Sequence, residues 1–504
     1  MKPKKAVSRA SLIAVAALVE VFSIMILLNN FVDKAGWLEM IMRTISVLII
    51  LSIVKNSRHL SSDMMWILLV AIFPIPGTLL FMFLGADLFS SKEFREIRKE
   101  SVRAETFATQ DEAVIEEAKA AYPGIAGQFN YLWYEKYPIC RNQGYRYFGS
   151  GEEGFPEMLA EMKKAEKYIF LEYFIIEKGE MWDTMLEILK EKAAKGLEVR
   201  VMYDDMGSIN TMPVKYTKEL EAMGIRAVSF NRLSPIVNII MNHRDHRKIM
   251  VIDGRIAFSG GINLADEYIN KKVKYGYWKD TVVEVRGQAV DAMLRLFLTN
   301  WNALRHEDED YAVFYGPHDE PIGQGFVCAY GESPLSPERV AQNVYLNIIN
   351  EAQHYVYIMT PYLIIDSDMT NALILAARRG VDVKIVTPGI PDKKIVYGVT
   401  RSYYNALVAG GVHVLEYTPG FDHAKVMVAD DLVCTVGTIN FDYRSLYLHF
   451  ENGTYLCGGD EVLHVRDDVL RAIAASREVP LSETKMFGLK EFGWSVIRLF
   501  APLM

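Results

Sequence analysis

The chain has 504 residues, 51% of them hydrophobic and 23% charged, which excludes a disordered or fibrous protein and leaves room for three or four units of roughly 150 residues. Acidic residues outnumber basic ones 63 to 55, so the molecule is not a nucleic-acid-binding polycation. Cys140, Cys328, Cys434 and Cys457 show no C-x-x-C spacing and indicate neither a disulfide scaffold nor a structural zinc site.

The charge is unevenly placed: residues 1–105 carry 13 Lys or Arg and 9 Asp or Glu, a basic head before an acidic body. Three apolar stretches lie in this head, at Leu12–Leu28, Trp37–Val54 and Met64–Leu84. A bilayer span needs about 20 such residues. The third holds no charge, and its Pro74, Pro76 and Gly77 predict a kink. The first follows Lys2, Lys4, Lys5 and Arg9, as a cleaved signal peptide would, but no A-x-A site follows it. The expectation is a multi-pass transmembrane anchor of two to three helices over residues 1–90, in the cell membrane. Flanking bases leave open which side the body faces. Residues 91–135 read as a charged helical connector near the membrane surface.

Beyond the connector the chain repeats itself. Helix-like MLAEMKKAEK leads into the apolar run Tyr168–Ile176, and NVYLNIINEAQH leads into Tyr355–Met359. Each run is followed by a helical stretch, a glycine and a second strand pattern: Gly196 before Leu197–Met202, Gly380 before Val381–Val386. Glycine just past a helix is the expected left-handed cap. A further such step comes at Gly224 and at Gly411. The fold class expected is therefore α/β, with two tandem lobes over residues 136–330 and 331–480. Each is a mixed sheet flanked by helices, and an amphipathic tail follows over 481–504.

Both copies close on one pattern. His246, Lys248, Asp253 and Asn263 stand in the same register as His423, Lys425, Asp430 and Asn440: Lys follows His by two residues, Asp by seven and Asn by seventeen. On a strand, residues two apart share a face, so each His and Lys can meet one ligand. One such match is weak; two at equivalent places in a repeat are strong.

The chemistry that wants this set twice is phosphodiester exchange. One neutral imidazole attacks phosphorus, while a protonated one gives its proton to the departing alkoxide. The lysines and asparagines would bind the non-bridging oxygens as charge builds on them. No metal and no cofactor is called for. Each histidine also needs an orienting carboxylate, for which the sequence offers Glu451, twenty-eight residues after His423, and Asp280 after His246.

These residues resemble the phospholipase D superfamily, whose duplicated H-x-K-x4-D motif they form, and with the apolar head they are similar to its bacterial cardiolipin synthases. The resemblance spans nearly the whole chain, through Trp66–Leu69, Leu171-Glu172-Tyr173-Phe174, Gly260-Gly261-Ile262-Asn263, Trp278-Lys279-Asp280, Thr360-Pro361-Tyr362, Asn440–Ser445 and the tail Leu499–Leu503. It implies metal-independent transfer of a phosphatidyl group between two phosphatidylglycerols, giving cardiolipin and glycerol. It also implies that His246 is the nucleophile and His423 the acid, in lobes packed about a pseudo-twofold axis. The partners implied are phosphatidylglycerol and membrane lipids, with no nucleic acid. Phe421-Asp422 before His423 departs from the usual apolar pair; by alternation Asp422 faces away from the His423 side.

Hydrolysis of phospholipids by the same site, and a scaffold with a dead site, are the alternatives. Asp253 and Asp430, grouped with the motif, suit framework roles better than proton transfer. Asp204 and Asp205 read as a strand-end turn, and Gly149–Gly154 as a turn before a helix rather than a dinucleotide loop. His243 with Asp245 lacks a third ligand for a metal.

Overall fold

Tyr168–Tyr173, an unbroken apolar run apart from Glu172, forms a strand with every residue buried, and its repeat counterpart Tyr355–Met359 forms a strand in the second half with Val356, Ile358 and Met359 buried and Tyr355 and Tyr357 half-buried. The computed structural model describes residues 36–56, 60–82, 92–232, 243–317, 321–485, 489–499 and 501. In the first lobe these runs build a seven-stranded sheet. Its order is Tyr145–Phe148, Val282–Arg286, Ile256–Gly260, Lys248–Ile252, Tyr168–Tyr173, Glu198–Asp204 and Arg226–Phe230.

The second sheet repeats that order with Phe326–Glu332, His449–Cys457, Val433–Gly437, Val426–Ala429, Tyr355–Met359, Asp382–Pro388 and His413–Tyr417. Strands joined through helices run parallel and the hairpins antiparallel, so both sheets are mixed. The glycines act as expected: Gly196 and Gly380 sit at φ +89° and +96°, each ending a helix before a parallel strand.

The two lobes exchange strands. Cys140–Arg141, which precedes the whole first sheet, pairs with Phe326–Glu332 of the second. That latter strand straddles residue 330 and belongs to the second sheet. The helix Ala289–Arg305 packs against strands of both sheets and is buried along almost its whole length. Its Phe297 and Trp301 stack in series with Phe170 of the first sheet, with centroids 5.1 and 5.6 Å apart.

The head departs from expectation. The stretch Leu12–Leu28 lies outside the described residues. The second forms the helix Gly36–Asn56, which carries Glu39, Arg43 and Lys55. The third does not form one span: it breaks at Phe73 into Leu60–Ile72 and Pro74–Leu80. Pro74 lacks the N–H that would continue the helix. Among the described residues no helix is long and apolar enough to cross a membrane, so the expected two to three spans are not found there. These helices nonetheless expose Met40, Val47, Leu48, Leu51, Val54, Ile72 and Phe73.

The first connector helix, Lys92–Glu105, docks on the body by burying Phe94, Ile97 and Ala104. The tail helix Leu489–Leu499 lays Trp494 against Gly398 of the second lobe and sets the Arg498 guanidinium 3.9 Å from the Tyr403 ring centre. Its Leu499 packs on the head cluster of Ile53, Met65 and Trp66.

Candidate active site

His246 stands two residues before the strand Lys248–Ile252 and His423 three before Val426–Ala429, with each lysine at the strand's entry, and each histidine is held by the opposite lobe. Arg244–Asp245 pairs in parallel with His449–Phe450, and the His246 amide donates to the Phe450 carbonyl at 2.9 Å. In mirror fashion Gly420–Asp422 pairs with Tyr277–Lys279, and the His423 amide donates to the Lys279 carbonyl at 2.7 Å. The carboxylates cross as well. Glu451 accepts a hydrogen bond from His246 Nδ1, with both oxygens at 2.9 Å, and Asp280 accepts one from His423 Nδ1 at 2.6 Å. A carboxylate only accepts, so both rings carry the proton on Nδ1 and leave the Nε2 lone pair free. Each carboxylate thus serves the histidine of the other copy, not the one it follows in sequence.

The surroundings of the two carboxylates differ. Thr438 donates to Glu451 from the position equivalent to Gly261, while a Cβ at Gly261 would lie 1.9 Å from Asp280 Oδ1. Glycine is therefore required where Asp280 closes on His423.

All of these groups are buried. Burial and the Lys248, Lys425 and His423 charges hold His246 well below the ordinary imidazole value. Burial, Lys425 and Lys248 lower His423 to about 4, against the pull of Asp280. Burial likewise brings Lys248 down to about 7 and Lys425 to about 8, with Glu451 and Asp280 opposing. Each lobe's lysine depresses the other lobe's histidine, so the two motifs share one electrostatic environment. Lys248 Nζ donates to the His246 carbonyl at 2.5 Å, and Lys425 Nζ donates to that of His423.

Other motif residues do framework work. Asp253 and Asp430 lie at the far ends of their strands, five residues or about 17 Å from the lysines. Asp253 accepts from the amides of Glu166, Lys167 and Tyr168, and Asp430 from those of Gln353, His354 and Tyr355. Both sit at left-handed φ, +56° and +55°. They pin the start of the neighbouring strand and do not reach the histidines.

Asn263 accepts from the Ile175 amide and donates to Tyr268 at 2.7 Å, so part of its amide is already spent on the fold. Asn440 donates to Asp442 at 3.2 Å, and its Oδ1 has no partner among the described residues. Asp422 is fully buried, accepts from the Ala424 amide, and is pushed up to about 8 by burial. Ser150 Oγ accepts from the Glu153 amide and the Glu153 carboxylate accepts from the Gly149 amide at the start of the helix Gly151–Lys164, so Gly149–Gly154 is a capping turn.

Sequence reasoning missed the support beneath His246. Asp204 accepts from the amides of Asp245, Met206 and Gly207, fixing the strand that leads into the motif. Burial and mutual repulsion hold Glu172 well above the carboxylate range beside Asp245, and Asn300 donates to Glu172 at 3.1 Å. Arg247 donates to the Leu296 and Glu451 carbonyls, tying motif, central helix and opposite lobe together. His449 was missed too. It stands two residues before Glu451, as Trp278 stands before Asp280, so aligning the carboxylates of the repeat would have exposed it. Its ring lies 5.7 Å from His246, as Trp278 lies 5.4 Å from His423. Among the described residues, His246, His449 and Glu451 are the one group able to hold a metal ion.

Two copies of one α/β lobe, each presenting a histidine and a lysine across a shared seam, define a duplicated phospholipase D-type protein. The model of a family described as cardiolipin synthase, phospholipase D-like domain matches residues 158–282 and again 345–470. A cardiolipin synthase of Alkalihalophilus pseudofirmus is 33% identical over 92% of this chain and 93% of its own. One from Geobacillus kaustophilus is 31% identical over 93% and 94% respectively. An uncharacterized protein of Streptococcus mutans is 43% identical over 90% of this chain and 99% of its own. The crystal structure of Haemophilus influenzae phosphatidylserine synthase shares the fold, with a TM-score of 0.54 at 15% identity over 72% of this chain and 94% of that one. The chain belongs to the cardiolipin synthase family of phospholipase D-like proteins.

Proposed function

We propose that this protein moves a phosphatidyl group from one phosphatidylglycerol to another, yielding cardiolipin and glycerol. His246 Nε2 attacks phosphorus; the N–P bond forms as the P–O bond to glycerol breaks, and His423 gives its proton to the departing oxygen. The hydroxyl of the second phosphatidylglycerol then returns a proton to His423, attacks the phosphohistidine and frees His246. Lys248 and Lys425 face the phosphoryl oxygens, helped by Asn263 and Asn440.

The observation that carries the reading is the crossed pair of imidazole–carboxylate contacts, which leaves two Nε2 atoms, and not one, prepared within a single buried field. In the free protein burial and the two lysines favour the neutral form of both rings. An entering phosphodiester anion opposes the lysine charges and raises the imidazole values, so substrate itself supplies the condition for His423 to carry a proton.

The exposed apolar side chains of the head hold this site at a bilayer surface, where a diacyl lipid resides. Crossing of the bilayer by residues 1–90 is the stronger form of that reading, and resistance of the full chain to extraction by carbonate separates spanning from surface attachment.

Purified full-length protein incubated with vesicles of phosphatidylglycerol is expected to produce cardiolipin and glycerol, read by mass spectrometry. Phosphatidic acid without cardiolipin would make the protein a hydrolase instead. His246→Ala is expected to abolish both turnover and the trapped adduct.

A further inference from the structure

His449 stands out among the buried polar groups because neither of its ring nitrogens has a hydrogen-bond partner among the described residues. It is 7% exposed, and burial keeps the ring uncharged by lowering it to about 3. Leaving a buried imidazole without partners costs free energy, so its surroundings call for an explanation. Its Nδ1 points at Glu451 Oε1 from 3.7 Å, too far for a hydrogen bond, while Glu451 Oε2 is already engaged by Thr438. At the equivalent place in the other lobe stands Trp278, which offers no lone pair.

We propose that His246, His449 and Glu451 form an inhibitory binding site for a divalent transition cation of the zinc class. One donor atom from each lies within 4.8 Å of the others. Tetrahedral zinc, with bonds of about 2.0–2.2 Å, needs donors roughly 3.3 Å apart, so side-chain rotations of about 1.5 Å close the set. Two imidazoles and one carboxylate are a zinc-type donor set with a fourth position left for water. Lys248 and Lys425 bear on the same space and oppose any cation. That selects against magnesium and calcium, which gain little from nitrogen donors, and in favour of ions that bind imidazole strongly.

Occupation removes the free lone pair of His246 in either mode. A metal on Nε2 takes it directly. A metal on Nδ1 displaces the proton now shared with Glu451, and moving that proton to Nε2 within the ring leaves the net charge unchanged. The inhibitory part of the proposal rests on His246 being the attacking imidazole, whereas the binding part does not.

The test uses cobalt as a spectroscopic stand-in for zinc on the full-length protein. One equivalent of cobalt is expected to give the visible absorption of a tetrahedral site, and X-ray absorption is expected to count two imidazole ligands. The exposed pairs His413–Glu478 and His464–Glu461 supply only one imidazole each. Losing even a partner hydrogen-bonded to a ligand costs roughly 10–100-fold in affinity, so His449→Asn should weaken cobalt binding at least about tenfold and raise the zinc concentration needed to inhibit by the same factor. One imidazole or none in the wild-type spectrum overturns the site without recourse to any variant, as does undiminished binding by folded His449→Asn. Tight binding through two imidazoles with no loss of activity would leave the site standing and overturn both the inhibition and the role given to His246.

Discussion

At the scale of single residues, the crossed carboxylates set the most direct expectations. Glu451→Gln and Asp280→Asn each leave a ring without its anionic partner, and loss of tautomer control should cost about 10²–10⁴-fold in turnover. Nitrogen NMR of the rings should show Glu451→Gln disturbing His246 and sparing His423, with Asp280→Asn doing the reverse; the opposite assignment contradicts the crossing. Gly261→Ala should imitate Asp280→Asn, because its methyl would occupy the Asp280 oxygen. The depressed histidine also has a consequence for stability. With His423 at about 4 when folded and 6.5 when unfolded, the unfolded chain takes up a proton first as pH falls. Stability tied to this ring is complete above pH 6.5 and is lost between there and about 4. Wild type should therefore lose about 2 kcal/mol relative to His423→Gln between pH 7 and pH 5, followed by thermal unfolding of both across that range.

At the scale of elements, the motif aspartates belong to strand starts. Asp253→Ala strands three backbone donors at the head of the strand Tyr168–Tyr173. The expected cost is about 2–5 kcal/mol of stability, with turnover per folded molecule at permissive temperature largely kept. A loss of turnover in fully folded Asp253→Ala would put this residue back into the chemistry. Much at this scale was legible in the sequence. Apolar runs, helix-ending glycines and the register of His246 with His423 are local signals, so the repeated α/β lobe and its paired motifs could be read directly. Glu451 and Asp280 could be named as orienting carboxylates, but which histidine each serves could not be read, because the pairings that cross the seam, Arg244–Asp245 on His449–Phe450 and Gly420–Asp422 on Tyr277–Lys279, are only two and three residues long. The apolar content of Met64–Leu84 and its kink at Pro74 were equally plain; what composition did not disclose is that the interruption at Phe73 leaves two short helices in place of one kinked span. Composition records how apolar a segment is, while Pro74 decides whether it is continuous.

At the scale of the whole molecule, neither lobe contains a finished site. Chains cut within residues 318–320 and produced as separate halves should each be inactive, with turnover restored only if they reassemble; turnover by either half alone, measured on phosphatidylglycerol vesicles, contradicts the shared seam. The full chain faces the same dependence in time. The ribosome adds about 5–20 residues per second, so roughly 10–40 s pass between the emergence of His246 and that of Glu451. During that interval the His246 ring has no Glu451 to accept from its Nδ1, and Cys140–Arg141 waits still longer with its strand edge bare than its distance to Phe326 alone would suggest, since the second sheet closes only with the strand ending at Cys457. Phosphoryl transfer therefore cannot begin before the strand His449–Cys457 has been made, and any chain terminated ahead of Glu451 is left with one unsupported ring and no chemistry.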